Sequence, residues 1–105
     1  MLRIHHVVLD ALRTMRPALA TIQRNDPDLA RQLRRAASSV ALNLAEGSGS
    51  AGGVRHARHR TALGSARETL SCLQVAEALG YIEAFPADVV ARLRRVIGTL
   101  VRIVS

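Results

Sequence analysis

Lysine is absent from this 105-residue chain, and all 15 of its basic side chains are arginine. Tryptophan is absent too, leaving one tyrosine and one phenylalanine, too few rings for a base-stacking platform of the RRM or OB type. A single cysteine, Cys72, excludes an intrachain disulfide and a multi-cysteine zinc site. No run approaches the ~18 consecutive apolar residues of a membrane span. The start at Met1 shows no basic-then-apolar leader. These absences predict a cytoplasmic protein without a membrane partner. Acidic residues are also scarce: 8 against 15 arginines, giving a net charge of +7 and a pI near 11.6.

What is present is apolar content of 49%, too much for a disordered basic tail, which could not offset its ordering entropy. The length predicts one domain, residues 1–105, burying roughly 60–70% of the surface its unfolded chain would expose. An excess of seven positive charges points to an anionic partner, most commonly RNA or DNA. Arginine suits that role because its planar fork grips phosphate bidentately, and it also tolerates desolvation at interfaces. A GC-rich genome would explain arginine in place of lysine, but not the charge excess.

Four amphipathic segments follow from the apolar spacing. The first, about Arg3 to Arg24, carries Val8, Leu12, Met15, Leu19 and Ile22 at helical intervals, and Pro17 inside it predicts a kink. Asp26-Pro27 is an N-cap followed by a first-turn proline, opening a second helix that runs to about Glu46. Its apolar stripe is Leu29, Leu33, Ala36, Val40 and Leu44. Steps of 100° set Arg31, Arg34 and Arg35 on the opposite face and a polar strip of Ser39, Asn43 and Glu46 at the shoulder between them.

Gly47 is expected to close that helix in the left-handed conformation, with residues 47–53 forming a flexible loop. This loop is no P-loop, because lysine and Ser/Thr do not follow its last glycine frame. The third helix, Val54 to about Leu79, is apolar over roughly two-thirds of its circumference, about twice what a monomeric bundle needs. That excess predicts burial against a second subunit. Its polar stripe holds His56, Arg60, Arg67, Ser71 and Gln74, with Glu68 at the edge. Pro86 is expected to open the fourth helix, with Val89, Leu93, Val96, Ile97, Leu100 and Val104 inward and Arg92, Arg95 and Arg102 outward. The fold implied is all-α, an antiparallel up-down-up-down four-helix bundle.

Candidate chemistry is sparse. His56 and His59 have the spacing of half a metal site but no further ligand on their face, so they read as solvated histidines at a helix start. The adjacent His5 and His6 diverge on a helix. Cys72 sits among apolar neighbours and reads as a small core residue without a nearby base. Asn43, Glu46 and Glu68 have acid–base character, yet short polar groups at a helix shoulder commonly fix register, and an alanine-rich bundle leaves little room for a pocket. No catalytic residue, metal ligand or cofactor is therefore assigned, and the chain reads as a non-enzyme. The arginine stripes, Arg31/Arg34/Arg35 and Arg92/Arg95/Arg102, with Arg60 and Arg67 between, make a phosphate-tracking surface.

Residues 32–47, reading Gln-Leu-Arg-Arg-Ala-Ala-Ser-Ser-Val-Ala-Leu-Asn-Leu-Ala-Glu-Gly, resemble a known family, as do Leu63-Gly64-Ser65-Ala66-Arg67-Glu68 and Leu79-Gly80-Tyr81-Ile82. The family is the bacterial four-helix-bundle proteins of intervening sequences in large ribosomal RNA genes, which includes the accessory variability determinant (Avd) of diversity-generating retroelements. The resemblance is close over about residues 27–83. It implies a homopentameric barrel of four-helix bundles with a basic surface or channel. In the retroelement branch it implies a reverse transcriptase as partner, with bound RNA or DNA. Ser39, Asn43, Glu46, Gly47 and Glu68 would then serve fold and assembly. Relatives usually carry a basic residue just past the Glu-Gly and aromatics opening the third helix. Here Ser50 and Gly52-Gly53 occupy the first region, and Arg55, His56, Arg58 and His59 the second.

Two functions compete on these residues. The first is a homo-oligomeric nucleic-acid-binding bundle, in one branch a reverse-transcriptase accessory. The alternative is a protein-interaction scaffold of the same family with no direct nucleic-acid role.

Overall fold

The computed structural model describes residues 3–84 and 87–105 as four α-helices with no strand among them. They are α1 (Arg3–Asn25), α2 (Pro27–Ser48), α3 (Gly52–Ala78) and α4 (Ala87–Val104). The helix-opening role expected of Pro86 lies outside the described residues. α1 continues through Pro17 as one helix. The proline is exposed, on the side where water can satisfy the carbonyl its missing N–H leaves free. Thr21 Oγ1 donates to the Pro17 carbonyl at 3.2 Å.

The turn from α1 to α2 is a single residue. Asp26 Oδ1 accepts from the Leu29 backbone N–H at 3.0 Å, and Pro27 stands at the first helical position, the arrangement expected from the Asp-Pro pair. Asp26 Oδ2 accepts a hydrogen bond from the Tyr81 hydroxyl at 3.1 Å, tying the link between α3 and α4 to the corner between α1 and α2. Burial, and after it the Asp26 carboxylate, push the Tyr81 hydroxyl above its ordinary pKa.

At the other end of the link, Gly80 has φ +79°. The Gly80 N–H reaches Glu77 O and the Tyr81 N–H reaches Ala76 O, both at 2.9 Å, the paired bonds of a Schellman ending. The loop expected over residues 47–53 is shorter in fact. α2 runs on through Gly47 to Ser48, and α3 begins at Gly52, whose φ of +60° makes it the glycine this turn requires.

The helices meet in a closed ring of interfaces, α1 with α2, α2 with α3, α3 with α4, and α4 with α1, in a body of 42 × 23 × 21 Å. Two apolar clusters fill it. One joins Ile4, Val7 and Val8 of α1 to Val40, Ala41 and Leu44 of α2, Ala62, Leu63 and Ala66 of α3, and Val96 and Leu100 of α4. The other joins Met15 and Ile22 to Ala30, Leu33 and Ala37, then Cys72, Leu73 and Ala76, and Val89 and Leu93. The early half of α3 thus shares a cluster with the late half of α4. Each fully buried leucine, Leu33, Leu44, Leu73 and Leu100, contributes about 1.5–3 kcal/mol of transfer free energy. Between the clusters remains a void of about 10 Å³ beside Thr69, at the lower limit for holding a water.

The excess apolar circumference of α3 is visible as exposure. Val54, Val75 and Leu79 stand 59%, 43% and 58% exposed, and Leu42 of α2 61%.

Removing the corner should be costly. Asp26→Ala is expected to destabilise the fold by about 1–2 kcal/mol in urea denaturation at pH 7. Asp26→Ser keeps a capping oxygen and should recover most of that loss. Equal stability of Asp26→Ala and the parent chain would contradict the cap.

Candidate nucleic-acid interface

The site grows out of the seam between α2 and α3. Alanines and a glycine face each other there, Ala36, Ala37, Ala41 and Gly47 from α2 and Ala62 and Ala66 from α3, all buried. Side chains this short let polar groups at the shoulder reach across. Ser39 Oγ and Ser65 Oγ lie 2.7 Å apart. Asn43 Nδ2 donates to Ser39 O at 2.9 Å and to Ser39 Oγ at 3.0 Å. Arg58 donates to Asn43 Oδ1 at 3.4 Å and pairs with Glu46 at 2.9 Å. Further along, Gln32 Nε2 donates to Glu68 Oε2 at 3.3 Å.

The structure therefore brings Ser39, Asn43 and Glu46 into one network and leaves Glu68 in a second contact. The sequence reading missed their partners Ser65, Arg58 and Gln32. Ser65 and Gln32 lay inside the blocks that carry the family resemblance, which was the available signal.

Outside this seam lies an open trough in two parts of about 500 and 460 Å³, which share Arg35 and Ser39. The expected close packing holds for the interior but not for this surface. The trough carries both charges: Arg31, Arg34, Arg35 and Arg58 stand beside Asp28, Glu46 and Glu68.

Gly47 requires a correction. It is neither a helix end nor left-handed; it is a buried residue inside α2. A Cβ there would sit 2.9 Å from His59 Nε2 and 3.0 Å from His59 Cδ2. The glycine is needed because the His59 ring rests on the α2 backbone. His59 itself was expected to be solvated. α3 instead starts at Gly52, which carries His59 over the end of α2, where it is only 5% exposed. Its Nε2 has no hydrogen-bond partner among the described residues. His56 remains exposed. Burial, with the positive Arg55 and His56 behind it, lowers the His59 pKa below the ordinary histidine value. Cys72 is buried, and that burial, with Glu68 nearby, raises its thiol pKa.

The arginines divide. Arg92 was expected to line the outside of α4, but it is half-buried between Asp88 at 2.9 Å and Asp10 at 3.3 Å, clamping α4 to α1. The Asp88 hydrogen bond and the two carboxylates raise its pKa further, so the cation is fixed and already neutralised. Arg31 pairs with Asp28 at 3.2 Å, and Arg34 donates to Gln23 Oε1 at 2.8 Å. Arg102 donates to Thr99 Oγ1 at 3.4 Å. Arg35, Arg60, Arg67 and Arg95 are exposed and without partners among the described residues. So is Arg94, absent from the sequence reading because it stands off the Arg95/Arg102 stripe by a quarter turn.

Among the described residues no group of three or more His, Cys, Asp or Glu could hold a metal ion, and no helix is long and apolar enough to cross a membrane.

A small all-α protein of four packed helices, with its arginines outside, is the class these features define. The model of the 23S rRNA-intervening sequence protein family matches residues 11–101, and the chain belongs to that family. No curated protein matches it, and neither does any solved structure.

Two outcomes test the Gly47–His59 contact. Gly47→Ala should destabilise by about 1 kcal/mol, the crowding outweighing the gain in helix propensity. In a His59→Ala background the same change should stabilise; the same sign in both backgrounds would refute the contact. Because the folded pKa of His59 is lowered, its neutral form stabilises fully above the unfolded value of about 6.5. That contribution is lost as pH falls below it. His59→Leu should therefore lose less stability than the parent between pH 7 and 5, and parallel losses would contradict its burial as a neutral ring.

Proposed function

We propose that this chain is a non-enzymatic, cytoplasmic, basic homo-oligomer that binds RNA or DNA through its arginine-rich exterior. The observation that carries the reading is the imbalance of pairing. Ion pairs among the described residues engage Arg13, Arg31, Arg58 and Arg92, whereas Arg3, Arg16, Arg35, Arg60, Arg67, Arg94 and Arg95 are exposed and have no partner among those residues. Unpaired guanidinium groups on rigid helices exchange their counterions for phosphates, and release of those counterions drives association. With two aromatic rings of the tyrosine and phenylalanine kind, recognition rests on charge and shape and not on base stacking.

The assembly proposed is an antiparallel up-down-up-down bundle repeated as a homopentameric barrel. Membership of the family and the exposed apolar side chains Leu42, Val54, Val75 and Leu79 support it, since a monomer leaves them in water. In the retroelement branch of the family the particle would serve as an accessory to a reverse transcriptase. The second reading, a protein scaffold with no nucleic-acid role, is favoured by the three carboxylates and Leu42 of the α2–α3 trough.

Affinity for a 20-nucleotide RNA and a DNA duplex, measured against salt, separates the two. With three phosphate contacts, binding should weaken about 20- to 40-fold between ~50 and ~200 mM salt. Absent or salt-insensitive binding favours the scaffold. Light scattering at micromolar concentration should give a multiple of 11.3 kDa; the monomer mass would refute the oligomer.

A further inference from the structure

Resting on the nucleic-acid reading above, we propose that the phosphate backbone is tracked by the face that α3 and α4 share, through Arg60, Arg67 and Arg94, and that the α2 arginines are not its principal contacts. Arg60 and Arg67 are seven residues apart on the side of α3 away from Arg58, Ser65 and Glu68, which face α2, and span about 10.5 Å along the helix. Arg94 stands about 200° round α4 from Arg92, which meets Asp10 of α1, whereas Arg95 and Arg102 lie nearer the α1 side. The two helices pack together. The cluster that joins Ala62, Leu63 and Ala66 to Val96 and Leu100 sets this stretch of α3 beside the late half of α4. Helix axes in contact lie about 8–10 Å apart, so the three arginines fall within a patch of nanometre size.

Among the described residues, no carboxylate of α3 or α4 is paired with these three arginines. Of the acidic residues on α3 and α4, Glu68 is turned to Gln32 across the α2 seam and Asp88 to Arg92. Glu77 lies ten residues beyond Arg67, near the end of α3. The α2 cations are placed differently. Arg31 is paired with Asp28, Arg34 is bonded to Gln23, and the trough they border also presents Glu46 and Glu68. A polyanion entering there meets three negative charges, and one following α3 and α4 meets three arginines without ion pairs among the described residues. Binding on this face reads backbone charge, so no sequence preference is expected.

Two matched variants test the placement, because each removes three positive charges and leaves the overall field equal: R60Q/R67Q/R94Q and R31Q/R34Q/R35Q. The probe is a 20-nucleotide oligouridine, titrated between ~50 and ~200 mM salt, with particle mass and helical content checked for both. The α3–α4 triple should reduce the steepness of log affinity against log salt by about 2, at roughly 0.7 for each phosphate no longer neutralised, and weaken binding at least tenfold at ~100 mM. The α2 triple should change the affinity less than threefold. If the α3–α4 triple does not fold, R60Q/R67Q reads the same face and should lower the steepness by about 1.4. Equal losses in the two triples, or a larger loss in the α2 triple, overturn the placement while leaving the nucleic-acid reading intact. A parent chain that does not bind the oligouridine overturns both.

Discussion

The close approach of α2 and α3 is the constraint on which the rest of the molecule depends. It is made possible by what is missing from the side chains: alanine at 36, 37, 41, 62 and 66, and no Cβ at all at Gly47. Short side chains bring the serine pair Ser39–Ser65 to 2.7 Å and place the His59 ring on the backbone of α2. The same economy leaves each chain a thin core with few large side chains. Apolar groups that cannot be fitted inside, Leu42, Val54, Val75 and Leu79, remain at the surface, where another subunit can cover them.

A thin core also decides where charge goes. No arginine is fully buried, and the carboxylates are spent mainly on holding helices in place: Asp26 caps α2 and holds Tyr81, Asp10 and Asp88 grip Arg92, and Glu46 meets Arg58. With the acids committed to these tasks, the face of α3 and α4 is left cationic. In a pentamer the charge of +7 per chain is multiplied about fivefold on one particle, which strengthens its attraction for polyanions well beyond that of a single chain.

How much of this is written in the sequence depends on the range of the interaction concerned. The four helices, the Asp26 cap and the inward stripe of α4 follow from neighbours three or four residues apart, and all are legible. The strip of Ser39, Asn43 and Glu46 is legible for the same reason, being one side of one helix. Arg92 is not, because the carboxylate that takes it from solvent is Asp10, 82 residues away. Gly47 misleads: glycine after a helical stretch usually signals a left-handed end, and here it answers a tertiary contact with His59. The glycine-rich residues 47–53 look like a loop by composition, yet helix claims both ends of the stretch, and of its glycines only Gly52 has a positive φ. The resemblance blocks located the seam without saying what crosses it.

The most direct measurement is of arginine reactivity towards phenylglyoxal, residue by residue, with and without a saturating 20-nucleotide RNA. The account predicts that RNA protects Arg60, Arg67 and Arg94, leaves Arg92 slow in both states, and changes Arg31, Arg34 and Arg35 little. Protection centred on the α2 arginines, or spread evenly over the exposed arginines, would contradict it.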